Sequence, residues 1–163
     1  MRILLPIDDS KFSEAAVRSV AAGPWPPDTE VRVLHVVEPP SLLLDREVAS
    51  HDPEFEAVWK ALREQAKALV EKAAEGLRRS GLNATPSLVE GDPKSQIIDI
   101  ASDWHANLIV LGSHGRKGLD RFLLGSVSEA VVRHAHCSVE IVRISASGHY
   151  DRAPSTKTKR NPL

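Results

Sequence analysis

The sequence predicts an α/β fold, an open five-stranded parallel sheet with helices on both faces. Three observations predict it. Five short apolar runs alternate with segments of helical period along the 163 residues, the pattern of repeated strand–helix–strand units. Runs such as Leu108-Ile-Val-Leu111 are apolar at every position, as strands buried on both faces are. Cap and breaker residues stand between the runs and the helices, so each change of period has a local cause.

Taken in order, Ile3-Leu-Leu-Pro-Ile7 is the first strand. Pro6 sits near its end, where a missing N–H matters least. Ser10 caps a helix from Lys11 to about Ala22, which Gly23-Pro-Trp-Pro-Pro27 stops. Glu30-Val-Arg-Val-Leu-His-Val-Val37 is the second strand. A long connection over 39–50 follows, and Asp52-Pro53 then reads as cap and first residue of a long helix. Its apolar positions, Phe55, Trp59, Leu62, Ala66, Leu69, Ala73 and Leu77, recur three and four apart. Ser80-Gly81 ends it. The third strand runs from about Thr85 to Glu90, Asp92-Pro93 opens the next helix, Leu108 to Leu111 is the fourth strand and Ser138 to Arg143 the fifth.

One domain therefore spans residues 1–144. Residues 145–163 contain almost no apolar side chain and read as a flexible polar tail. The 21 Lys and Arg nearly balance 22 Asp and Glu, which argues against a dedicated nucleic-acid or membrane-surface protein. A lone cysteine, Cys137, cannot form an internal disulfide, and the apolar N-terminus is far too short for a signal or a membrane span. The expected location is cytoplasmic.

The stretch from Gly112 to Ser126 carries the chemistry. It leaves a strand, contains Gly112, Gly115, Gly118 and Gly125, and enters an amphipathic helix at Val127. Glycines let backbone N–H groups approach a ligand, and a helix start adds unpaired donors and the positive end of a dipole. Together they form a cradle for phosphate. Gly115 and Gly125 offer backbone N–H groups, and Ser126 and Ser128 offer hydroxyls. Ser126 and Glu129 have the spacing of a capping box. His114 can hydrogen-bond a phosphate or orient the loop, and Arg116, Lys117 and Arg121 can offset its charge. Asp8, ending the first strand, suits ribose hydroxyls, an adenine amino group or a magnesium ion carried by phosphates. Val36, ending the second, is an apolar wall for a base. In open sheets the ligand lies beyond the strands' carboxyl ends, where strand order reverses. The site thus requires the first and fourth strands to be neighbours.

Other signals fall away. His134-x-His136-Cys137 lacks a fourth ligand and a zinc spacing, so no metal site is expected. The first turn, Asp8-Asp-Ser-Lys11, has no glycine, which argues against a dinucleotide fingerprint, and no Gly-x-x-x-x-Gly-Lys-Ser/Thr is present. Asp8-Asp9 resembles the acidic pair of a receiver domain, but the fifth strand ends Arg143-Ile-Ser145 without the lysine that reading needs.

On these residues the chain resembles the universal stress protein family, over roughly Met1 to Ile144. The resemblance is carried by Ile-Leu-Leu-Pro-Ile-Asp-Asp-Ser10, Val-Leu-His-Val-Val37, Gly91-Asp-Pro-Lys-Ser-Gln-Ile-Ile98 and Leu-Ile-Val-Leu-Gly-Ser-His-Gly115 followed by Leu-Leu-Gly-Ser-Val127. Gly112, Gly115, Gly125 and Ser126 match the pattern of the ATP-binding branch: glycine, two residues, glycine, nine residues, glycine, Ser/Thr. It implies a Rossmann-type sandwich of the adenine-nucleotide alpha-hydrolase-like kind, usually a homodimer paired through the last strand. It implies ATP, AMP or ADP as ligand, with Mg carried by the phosphates. By position, Pro6, Ile7, Asp8 and Val36 would surround adenine and ribose, Leu111, Gly112, His114, Gly115 and Arg116 would follow, and Gly125, Ser126, Val127 and Ser128 would hold phosphates. Ser138 stands where the family usually has proline, Glu140 interrupts an apolar last strand, and Asn107 replaces a common aspartate.

The expected role is a nucleotide-binding regulatory module of the stress response. The alternative is a slow ATPase or phosphoryl-transfer enzyme using the same site. That alternative has Asp8 as its one acid–base or metal group and no clearly placed cation for the transferred phosphoryl.

Overall fold

A computed structural model describes residues 1–39, 53–115, 124–144 and 150–151. Its elements are β1 (Arg2–Pro6), α1 (Lys11–Ala21), β2 (Glu30–Val37), α2 (Pro53–Arg79), β3 (Asn83–Glu90), α3 (Pro93–Asp103), β4 (Leu108–Gly112), α4 (Ser126–His134), β5 (Ser138–Ile144) and β6 (Tyr150–Asp151). The sheet order is β3-β2-β1-β4-β5-β6. The first five strands are parallel, as expected. The sixth was not foreseen: β6 pairs antiparallel with the end of β5, Ile144 opposite Tyr150. The rest of the expected tail, and the 40–50 part of the long connection, lie outside the described residues.

Side-chain parity divides the core. Ile3, Leu5, Val31, Val33 and Val110 face α1 and α2, meeting Ala16, Val20, Val70, Ala74 and Leu77. Leu4, Leu34, Val36, Ile109 and Leu111 face α3 and α4, meeting Ile97, Ala101 and Val131. Each fully buried Leu, Ile or Val of this kind contributes roughly 1.5–3 kcal/mol of transfer free energy. Pro86 lies within β3, tolerated because β3 is an edge strand.

The α2 stripe differs from the expected one. Trp59, Ala66, Val70, Ala74 and Leu77 are buried, whereas Leu62 is 38% exposed. At 3.6 residues per turn Leu62 is rotated about 60° from Trp59, so it falls off the face the sheet covers.

The strand order reverses between β1 and β4, because β2 and β3 extend from one side of β1 and β4 and β5 from the other. β1 pairs with both, Ile3 opposite Val31 and also opposite Leu108. The carboxyl ends of β1 and β4 therefore open onto one crevice.

Candidate functional site

A cavity of about 600 Å³ occupies that crevice. All but one of the residues that the family resemblance implies line it: Pro6, Ile7, Asp8, Val36, Leu111, Gly112, His114, Gly115, Gly125, Ser126, Val127 and Ser128. Arg116 lies outside the described residues, as do Lys117 and Arg121.

The β1–α1 turn is held by a chain of hydrogen bonds. The Ile7 N–H donates to the Leu34 carbonyl at 2.8 Å, and the Ile7 carbonyl accepts from His35 Nδ1 at 2.7 Å. A carbonyl only accepts, so Nδ1 of His35 carries the proton. The Asp8 N–H donates to Ser13 Oγ at 2.9 Å, and that hydroxyl donates back to Asp8 Oδ1 at 2.6 Å. Oδ1 also accepts the Ser10 N–H at 3.1 Å. Ser10 is the α1 N-cap foreseen from sequence, accepting the Ser13 N–H at 3.2 Å.

Gly112, Gly115 and Gly125 are required for space, not for backbone conformation. Among the described glycines only Gly81 and Gly91 have positive φ. A Cβ on Gly112 would stand 2.7 Å from the Phe12 backbone carbon, so this glycine lets α1 pass close to the end of β4. A Cβ on Gly115 would stand 2.8 Å from Asp8 Oδ2. One on Gly125 would meet His114 Cα at 3.3 Å, so a larger side chain there would press on the loop backbone as well as on any ligand. The loop is pinned at both ends, Ser113 N–H to the Val142 carbonyl and Gly125 N–H to the Ser113 carbonyl.

His114 stacks at a tilt on Phe12, ring centroids 5.1 Å apart. Its Nδ1 is 3.1 Å from Ser113 Oγ. Its Nε2 is buried and has no hydrogen-bond partner among the described residues. An orphaned polar atom of this kind costs free energy until something pairs with it.

The start of α4 corrects the capping-box expectation. Gly125 is the N-cap, with no side-chain cap bond, and Ser126 is the first helical residue. Glu129 donates its N–H to the Gly125 carbonyl and turns its carboxylate to Arg133. Ser126 is exposed and its hydroxyl has no partner among the described residues. The Ser128 hydroxyl is buried and donates to the Gly112 carbonyl at 2.8 Å. What Ser126, Val127 and Ser128 share is an N–H with no carbonyl a turn earlier in the helix, at the positive end of its dipole.

The facing wall escaped the sequence reading. Glu38 of the β2 exit and Asp92, Pro93, Lys94 and Ile97 of α3 line the crevice, as do Ser13, Leu34, His35 and Leu124. A signal existed, since every strand-to-helix turn of a parallel sheet lies at the same rim. Asp92 caps α3 by accepting the Ser95 N–H at 3.0 Å and its hydroxyl at 2.9 Å, and these donors hold its carboxyl below the usual carboxylate range. The residues present fit a nucleotide whose anionic end meets the start of α4 and whose uncharged end meets the apolar wall. The α4 N–H groups suit phosphate, and apolar Val36, Leu111 and Ile97 suit a base. Among the described residues no three His, Cys, Asp or Glu side chains gather to hold a metal ion, and no helix is long and apolar enough to cross a membrane.

The profile of the Universal stress protein family matches residues 1–143. The universal stress protein MJ0577 of Methanocaldococcus jannaschii is 32% identical over 158 residues, covering 87% of this chain and 94% of its own. Its solved structure superposes with a TM-score of 0.76, over 89% of this chain and 96% of that one. UspA from Lactobacillus plantarum is 26% identical, with a TM-score of 0.68 over 86% and 96% of the two chains. An Arabidopsis thaliana protein of the family, solved with AMP bound, shares the fold at 19% identity, with a TM-score of 0.66 over 90% and 94%.

Proposed function

This chain belongs to the universal stress protein family, and from that premise we propose that it binds an adenine nucleotide in the crevice between β1 and β4 and works as a regulatory module of the stress response in the cytoplasm. The single observation that carries this reading is the convergence of Asp8, His114 and the first turn of α4 on one cavity. The phosphates lie against the N–H groups of Ser126, Val127 and Ser128, with any Mg carried by them. Ribose and base lie toward Asp8, Ile7 and Val36. The relative solved with AMP supports the ligand class. Isothermal titration with ATP-Mg and with AMP tests it. Heat of binding and a raised melting temperature are expected; neither heat nor a thermal shift at millimolar nucleotide overturns the proposal.

The same reading includes a homodimer through β5. Among the described residues the β5 edge away from β4 is paired only at Arg143 and Ile144, and an open strand edge is a template for a second copy. Glu140 lies back toward α1, where the Ser19 hydroxyl donates to Oε1 at 3.4 Å. Sedimentation at a mass near twice the 17.8 kDa chain is expected; a monomer at every concentration rejects the dimer.

A further inference from the structure

The loop that leaves β4 is anchored at one residue and packed at the next. Past the β4 ladder, its backbone hydrogen bonds among the described residues both fall on Ser113, whose N–H donates to the Val142 carbonyl and whose carbonyl accepts the Gly125 N–H. His114 and Gly115 lie further on, against the cap of α4. A Cβ on Gly125 would stand 3.3 Å from His114 Cα and 3.7 Å from the Gly115 nitrogen. A shift of His114 is therefore a shift of the backbone that borders the start of α4, where phosphate is drawn.

Phe12 of α1 meets this loop twice. Its backbone carbon and its Cβ both lie 2.7 Å from the place a Cβ on Gly112 would take. Its ring stands 5.1 Å from the His114 ring, centroid to centroid, at a tilt of 43°. A tilted aromatic contact of this kind is attractive beyond the area it buries. The Lys11 ammonium lies 5.3 Å from the same Phe12 ring, and the Ser10 cap fixes the turn of α1 that carries both residues. Phe12 does not itself line the crevice, so it acts on a ligand only through the loop.

We infer that Phe12 is a positioning residue: its ring holds His114, and with it the loop backbone beside the α4 cap, in the alignment that receives phosphate. The inference rests on the adenine-nucleotide reading above. The two contacts of Phe12 separate chemically. Phe12→Ala keeps the main chain and the Cβ that meet Gly112 and removes only the ring, and alanine suits a helix. Loss of one aromatic pair corresponds to roughly twofold to tenfold in an equilibrium.

The test compares AMP with adenosine by titration calorimetry on the full chain, as wild type, Phe12→Ala, Phe12→Leu and Phe12→Tyr, with circular dichroism to check folding. The wild type binds AMP more tightly than adenosine, because only AMP reaches the start of α4. In Phe12→Ala, AMP weakens by roughly twofold to tenfold while adenosine holds its affinity, so the ratio falls. Phe12→Tyr keeps the ring and the wild-type ratio. If Phe12→Ala does not fold, the ratio in Phe12→Leu, which fills the space without an aromatic face, decides. A wild-type ratio preserved in the folded variant that lacks the ring overturns the inference, even where both affinities drop together, since a general loss of packing does not single out phosphate. A ratio lost in Phe12→Tyr as well overturns the role of the ring. Equal binding of AMP and adenosine by the wild type overturns the phosphate alignment. A wild type that binds neither fails the adenine-nucleotide reading itself, and the inference falls with it.

Discussion

Oδ2 of Asp8 lies 2.8 Å from the point where a Cβ on Gly115 would sit. The two residues are separated by most of the chain, yet a side chain at Gly115 would press on the Asp8 carboxylate. The carboxylate cannot swing aside freely, because Ser13 and the Ser10 N–H hold its other oxygen. Gly115→Ala therefore forces the loop away from β1. A fall in nucleotide affinity of about tenfold is expected, from roughly 1.4 kcal/mol of lost alignment, with the far-ultraviolet spectrum unchanged. Titration calorimetry reads it; undiminished affinity in Gly115→Ala refutes the coupling.

Gly112 sits under a different constraint. Its absent side chain is replaced by the backbone of Phe12, 2.7 Å from the ideal Cβ position. That contact is main chain at the start of α1 and cannot turn away as a flexible side chain would. Gly112→Ala should lower stability by about 2 kcal/mol, or roughly 5 °C in melting temperature for a chain of this size. Thermal unfolding with and without nucleotide separates this effect from loss of ligand.

Asp92 links stability to acid pH. Its carboxyl is held below its usual value chiefly by the Ser95 N–H. A folded-state pKa below the unfolded one gives stability that is present above the unfolded value and is lost as pH falls through the folded one. Asp92→Ala should cost about 1 kcal/mol near neutral pH as a lost helix cap, and the gap to wild type should close as pH drops below about 4. Asn is as good a cap as Asp, so Asp92→Asn should stay near wild type at pH 7. Urea titrations between pH 3 and 7 give both comparisons, and a gap that stays constant to pH 3 contradicts the linkage.

Cys137 is half-buried between α4 and β5, and burial pushes its thiol up. Less thiolate and less access both slow attack on a disulfide reagent. The folded protein should react with such a reagent more slowly than the urea-unfolded chain at the same pH. Equal rates would mean that the α4–β5 junction does not protect the sulfur.

Much of the fold is legible locally. Ser10 and Asp92 announce α1 and α3 because a side-chain oxygen at that position satisfies an N–H the helix cannot. Leu108–Leu111 announces a central strand because only a position covered on both faces tolerates four apolar residues in succession. Leu62 and Ser126 misled for the opposite reason. Periodicity marks which positions are apolar but not where the covered face of a long helix ends around its circumference, and cap spacing at Ser126 does not show that the helix already begins there, with Gly125 as its cap.

The candidate site shows the same division. The glycine spacing from Gly112 to Ser126 is a property of the sequence, and so is the acidic end of β1. Why each glycine is there is not. Gly112 makes way for Phe12, Gly115 for Asp8 and Gly125 for the His114 backbone, and every one of those neighbours is distant or indirect along the chain. Alone, the sequence determined the strands, the helix starts and the residues able to hold phosphate, because these depend on contacts within a few positions. Tertiary structure alone decided that β1 and β4 are neighbours and that α3 brings Asp92 and Lys94 to the far wall. Those outcomes depend on strand order, which balances the burial of two whole sheet faces and leaves no mark at any single residue.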